Sequence, residues 1–243
     1  KKESFKLAWI FILIFVSCTQ NEELEQNFSI TSNCRLLGGD DFFGNPLKKT
    51  YYCTISNREF YIYIPSSYME NNDEEYPLLF SLHGYTSLAL WNLSYTGFQS
   101  IADKEKFIVI YPQGLILNST GETHWNVGGW TIGSKSKDVD FISDLIDWTK
   151  TKYKIDLSRI YSVGMSNGGF MSYHLACNLG DKIAAIGSVT GSMTPETLES
   201  CRPNHPTPVI QIHGKQDFTV PYSGNSIMLP IDEVVEYWTD YNN

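Results

Sequence analysis

Gly164-Met165-Ser166-Asn167-Gly168 spells G-x-S-x-G between an apolar run, Ile160–Val163, and a segment with helical periodicity. That setting turns a short pattern into a chemical statement. A strand that bends sharply into a helix holds the central serine in a strained backbone and presents its hydroxyl to solvent, and flanking glycines remove side chains that would collide at the bend. A serine mounted this way attacks carbonyl carbon. The start of the following helix adds partial positive charge where the carbonyl oxygen becomes an oxyanion. Two backbone N–H groups must face that oxygen. One is Asn167, next after the serine, and the other comes from the loop after an earlier strand, here Tyr85 in His83-Gly84-Tyr85. His83 itself reads as structural.

A nucleophilic serine needs a base, and the base needs an acid to orient it. Asp217, in His213-Gly214-Lys215-Gln216-Asp217 beyond a late apolar run, is the candidate acid, preferred to Asp232 near the start of the final helix. In this order of residues the histidine follows the acid, and no histidine follows His213. His174 lies eight residues along the helix from Ser166, roughly 12 Å away in rise. His83 and His213 end strands, and His124 and His205 fall in loops. None of the five is a natural base. The expectation is therefore a chain that stops at Asn243 before a last strand and the loop carrying the histidine, nearly inactive as it stands, with apolar surface bare at the sheet edge.

The elements that would position these groups alternate. Thr50–Ser56 and Glu59–Ile64 flank Asn57-Arg58 as a hairpin. Continuous apolar runs follow at Leu78–Leu82, Phe107–Ile110, Ile160–Val163, Ile183–Val189 and Val209–Ile212, each suited to a parallel strand covered on both faces. Between them, Val139-Ile142-Leu145-Ile146-Thr149, with Asp138 as N-cap, and Phe170-Met171-His174-Leu175-Leu179, stopped by Gly180, carry helical spacing. The fold class expected is α/β, a doubly wound, mostly parallel sheet opened by an antiparallel hairpin. Ligands in such sheets bind beyond the carboxyl ends of the strands, where the glycine-rich turns lie.

At the other end, Lys1, Lys2 and Lys6 precede the apolar Leu7–Val16 and then Ser17-Cys18. This reads as an export signal over residues 1–17, the apolar run being short for a membrane span. Val16-Ser17-Cys18 resembles a bacterial lipobox, with Cys18 as the lipidated residue and the membrane met only through that lipid. Residues 18–49 then form a tether and N-terminal segment, and residues 50–243 the catalytic domain. Cys34, Cys53, Cys177 and Cys201 are free to pair in an oxidising compartment, in any of three ways. The 243 residues carry a net charge of −9 with no basic cluster, which excludes a nucleic-acid binder. The chain contains no C-x-x-C or H-E-x-x-H, and no metal or organic cofactor is called for.

Leu82-His83-Gly84, Trp125-Asn126-Val127-Gly128-Gly129, Arg159-Ile160-Tyr161, Gly164 to Gly169, Leu175-Ala176-Cys177 and His213-Gly214…Asp217…Val220-Pro221-Tyr222 together resemble secreted polyhydroxybutyrate-depolymerase and feruloyl-esterase-like α/β-hydrolases. The likeness runs from about Tyr51 to the end. It implies a serine carboxylesterase acting on extracellular small-molecule or polymeric esters, either aromatic or acetyl esters of plant polysaccharides or polyesters. Trp125 and Trp130 sit in a glycine-rich loop, where they either form a flat wall for a sugar or aromatic ring or pack the loop onto the domain. Two other readings compete: a serine peptidase on the same scaffold, and a carbohydrate-binding pseudoenzyme that keeps the tryptophan loop.

Overall fold

The computed structural model describes residues 32–71 and 73–243. The expected export signal, Cys18 and residues up to 31 of the expected tether and N-terminal segment lie outside them. Among the described residues, ten strands and seven α-helices follow one another. The strands are β1 (Ser32–Leu36), β2 (Thr50–Ile55), β3 (Arg58–Tyr63), β4 (Tyr76–Leu82), β5 (Ile108–Pro112), β6 (Leu115–Leu117), β7 (Glu122–His124), β8 (Ile155–Met165), β9 (Ala185–Val189) and β10 (Val209–Ile212). The helices are α1 (Ser66–Glu70), α2 (Ala89–Thr96), α3 (Phe98–Glu105), α4 (Asp138–Lys152), α5 (Asn167–Asn178), α6 (Pro195–Ser200) and α7 (Ile231–Asn242).

Eight strands make one sheet in the order β1-β2-β3-β5-β4-β8-β9-β10, and β6 and β7 pair separately as a short hairpin. The first three strands run antiparallel, β3 meets β5 antiparallel, and β5, β4, β8, β9 and β10 are parallel. This is the doubly wound, mostly parallel sheet with an opening hairpin that the apolar runs predict. Every residue of β5 is buried, as the unbroken Ile-Val-Ile-Tyr-Pro run requires of a strand covered on both faces. One face packs against α4, α5 and α7 through Phe80, Leu82, Ile142, Leu145, Phe170 and Trp238. The other packs a smaller core of Tyr63, Ala89, Leu93, Val109 and Tyr111 beneath α2 and α3.

The folded unit starts earlier than the composition suggests. β1 pairs with β2 in register, Cys34 opposite Cys53, and a disulfide joins those two residues. Ser-Asn-Cys-Arg-Leu has no alternation to mark it as a strand, so its place is set by the partner strand and the cross-link. A second disulfide, Cys177–Cys201, ties the end of α5 to the residue after α6. Asp138, expected to cap α4, is its first residue, with Lys137 at the cap; its carboxylate is engaged elsewhere. At the other edge, Ile210 and Ile212 of β10 are 67% and 58% exposed. The Asn242 side chain, at the end of α7, bonds both the N–H and the C=O of Thr207 just before β10.

Candidate active site

All the parallel strands end on one side, so the loops after β4, β8 and β10 come together there. Ser166 stands between β8 and α5 with φ 53° and ψ −122°, a backbone conformation that non-glycine residues avoid. Its amide donates to the Val189 carbonyl at the end of β9 at 2.8 Å, which holds the bend against the sheet. The side chain is half-buried rather than sealed in the core.

The elbow glycines are steric necessities. A Cβ on Gly164 would lie 2.2 Å from the Gly168 carbonyl carbon, and one on Gly168 would lie 2.3 Å from the Leu82 carbonyl oxygen. The turn is thus folded onto itself and onto the end of β4. Gly84 lies in ordinary contact with the bend, since a Cβ there would meet Met165 and the Ser166 Cβ at 3.4–3.6 Å. This brings the Gly84–Tyr85 peptide beside the serine. Among the described residues, neither the Tyr85 N–H nor the Asn167 N–H has a hydrogen-bond partner. Asn167 opens α5, where the first amides have no intrahelical acceptor.

Asp217 sits in the loop after β10. Its Oδ1 accepts from the Thr219 and Val220 amides, both at 2.9 Å, and this fixes the carboxylate plane. The Oδ2 atom makes only a 3.7 Å approach to His213 Nε2. Ser166 and Asp217 leave strands two apart in the sheet, a separation of roughly 10 Å between strand ends. An imidazole is the kind of group that bridges such a gap.

No described histidine does so. His213 Nε2 donates to the Val220 carbonyl at 2.8 Å and Nδ1 accepts from Gln211 at 3.1 Å, so both ring nitrogens are spent on its own loop. His83 is fully buried; Gly114 N–H donates to its Nε2 at 2.9 Å, and Nδ1 bonds the Gly84 carbonyl at 2.8 Å. Burial pushes its pKa down to about 4, which keeps the ring neutral. His124 bonds Leu115 O and Ser134 Oγ. His174 bonds Thr197 Oγ1. His205 precedes β10, at the opposite end of the sheet from the serine.

Trp125 does not form a wall for a ligand. It is fully buried, its indole N–H donates to the His83 carbonyl at 2.9 Å, and its ring lies 4.9 Å from the His83 ring. The glycine-rich loop turns this ring inward because the Asn167 side chain grips its backbone: Asn167 Oδ1 accepts from Trp125 N at 2.7 Å, and Asn167 Nδ2 donates to Trp125 O at 3.1 Å. Trp130 is only partly buried and packs edge-on against Phe170, at 4.9 Å between centroids.

Beneath these loops lies a pair of residues that the sequence does not flag as functional. Arg58 and Asp138 form a buried ion pair at 2.8 Å, and the guanidinium lies 4.0 Å from the Phe141 ring centre. A hairpin-turn arginine and a helix-start aspartate both look like surface residues, and only their pairing across 80 residues makes them core.

Residues 134–230 match the Phospholipase/Carboxylesterase family. A bifunctional acetylxylan esterase/xylanase of Neocallimastix patriciarum is 33% identical over 167 residues, 69% of this chain and 22% of that protein. Feruloyl esterase B of Piromyces equi is 35% identical over 102 residues, 41% of this chain and 19% of that protein. Poly(3-hydroxyalkanoate) depolymerase C of Paucimonas lemoignei is 26% identical over 214 residues, 76% and 49%. The chain thus spans from about a fifth to about half the length of these relatives. A thermostable esterase of known structure superposes with a TM-score of 0.58 at 16% identity, covering 87% of this chain and 61% of that one. The chain has the α/β-hydrolase fold, and over part of its length it is similar to feruloyl and acetylxylan esterases and to a poly(3-hydroxyalkanoate) depolymerase.

Proposed function

We propose that this chain carries the nucleophile, oxyanion donors and acid of a serine carboxylic-ester hydrolase. Ser166 Oγ attacks the ester carbonyl, the Tyr85 and Asn167 N–H groups receive the oxyanion, and the alcohol leaves as an acyl-serine forms. Water then attacks the acyl-serine and releases the acid. A base that Asp217 would orient, a role no described histidine fills, would take the serine proton and pass it to the leaving alcohol. The observation that carries this reading is the strained Ser166 backbone at the β8–α5 bend, since a binding module gains nothing from such strain. The relatives favour feruloyl or acetyl esters of polysaccharides, or hydroxyalkanoate polyesters, as substrate class. The two disulfides, and the export signal with Cys18, favour an exported, lipid-anchored protein. A carbohydrate-binding pseudoenzyme is less well supported, because one of the two tryptophans it would use is in the core.

Residues 32–243 bring no histidine onto Ser166, so the 243-residue chain should turn over esters slowly. Loss of the histidine costs such a triad about 10⁶ in turnover. The test is hydrolysis of p-nitrophenyl acetate, with and without added imidazole, on the 243-residue chain and its Ser166→Ala variant. Near-background rates that imidazole raises only when Ser166 is present are expected. Fast Ser166-dependent turnover without imidazole would overturn the claim that no base is present, and an imidazole response unchanged in Ser166→Ala would overturn the role of the serine.

A further inference from the structure

We infer that the buried Arg58–Asp138 ion pair is a positioning device that holds both oxyanion donors, through two separate relays of peptide groups. The inference rests on the reading of Tyr85 and Asn167 as those donors. A trans peptide is planar, with its C=O and N–H pointing opposite ways, so gripping one end aims the other.

The first relay starts at the guanidinium. Arg58 donates to the Gln113 carbonyl at 3.1 Å. The other end of that same peptide is the Gly114 N–H, which donates to His83 Nε2 at 2.9 Å. With Nε2 accepting, the proton of the neutral ring sits on Nδ1, and Nδ1–H donates to the Gly84 carbonyl at 2.8 Å. The other end of the Gly84 peptide is the Tyr85 N–H. Fixing the carbonyl on His83 therefore turns that N–H away from the ring, and Gly84 itself lies against Ser166.

The second relay starts at the carboxylate. Asp138 Oδ2 accepts from the Asn126 N–H at 2.8 Å. The other end of that peptide, the Trp125 carbonyl, accepts from Asn167 Nδ2 at 3.1 Å, and the Trp125 N–H closes the ring onto Asn167 Oδ1 at 2.7 Å. The Asn167 side chain is thereby locked, and with it the first residue of α5. The relays also touch each other, where the Trp125 indole donates to the His83 carbonyl.

A buried ion pair seldom adds much stability over well-packed apolar residues, whereas removing one partner alone leaves a costly uncompensated charge. The pair's value lies in its reach: Asp138 also accepts from Ser136 Oγ at 2.6 Å, so its oxygens serve three donors on three segments. No apolar substitute can make those bonds.

The test is the double variant Arg58→Met/Asp138→Leu, which removes both charges together, studied beside Asp138→Asn, which keeps the shape and one acceptor oxygen. Amide exchange is read at two reporters, Ser87 N–H, bonded to the Gly84 carbonyl, and Trp125 N–H, bonded to Asn167. Both should exchange at least tenfold faster in the double variant, while amides of β8 and β9 keep their protection. Asp138→Asn should loosen Trp125 more than Ser87. The maximal rate at which a fluorophosphonate labels Ser166 in the presence of imidazole should fall at least tenfold, with its half-saturating concentration little changed. Unchanged exchange at Ser87 in a folded variant, or loosening confined to residues 125–140, would overturn the inference. If neither double variant nor Asp138→Asn keeps the β8 and β9 protection, the pair is a general core element and the inference is likewise overturned. Exchange needs no catalysis, so a parent chain that fails to label would refute the esterase reading and leave this result standing.

Discussion

His83 gives the site a calculable sensitivity to acid. The ring is fully buried, and burial lowers its pKa from 6.5 to about 4. The unfolded chain takes up a proton near pH 6.5 and the folded chain only near 4, so between those values the unfolded state binds more protons. Stability therefore falls as pH drops through this window, by about 3 kcal/mol in all, most of it gone by pH 4.5. His174, also lowered by burial, acts in the same direction. The paired carboxylates Asp103 and Asp147 have pKa values held below 3.8 by Lys49, Lys150 and Lys182 despite opposing burial, so their losses come at lower pH. His83→Asn isolates the contribution of one ring, because the asparagine amide can take the place of Nδ1 and cannot titrate. Urea unfolding followed by tryptophan fluorescence at pH 7.0, 5.5 and 4.5 gives the comparison. The parent should lose about 2–3 kcal/mol more than His83→Asn between pH 7.0 and 4.5. Equal losses in the two proteins would refute the reasoning, since they would mean that the His83 proton is not excluded by the fold.

Two further outcomes follow from backbone and cross-links. Ser166→Gly should relieve the strain at φ 53° and stabilise the chain by about 1 kcal/mol, a rise in Tm of roughly 2–4 °C, while abolishing fluorophosphonate labelling; a fall in Tm would show that the elbow is not strained. Replacing Cys34 and Cys53 by serine opens a link between residues 19 apart and should cost about 3 kcal/mol in urea unfolding, detaching β1 from β2; no change in midpoint would mean that β1 contributes nothing to the folded unit.

The sequence makes the proposed nucleophile legible because its constraints are local. Gly164 and Gly168 are there because the bend collides with its own backbone, and that leaves a fixed spacing around Ser166. Buried parallel strands leave a similar mark, since a strand covered on both faces must be apolar throughout. Asp217 is legible by order, lying just past a late strand. The residues that aim these groups leave no such mark. Trp125 and Trp130 share one loop and one composition, yet one ring is sealed in the core and the other is partly open, because the Asn167 side chain takes hold of one backbone and not the other. Arg58 contacts Gln113, 55 residues away, and Asp138, 80 residues away, and neither contact has a spacing that a pattern can detect. An orienting residue needs only a hydrogen-bonding group in the right place, and many residue types at many positions supply one. The proposed nucleophile sits on a bend where Gly164 and Gly168 leave no room for a Cβ. Chemistry therefore marks the sequence where the backbone is crowded, and the support for that chemistry is readable only once distant segments are seen side by side.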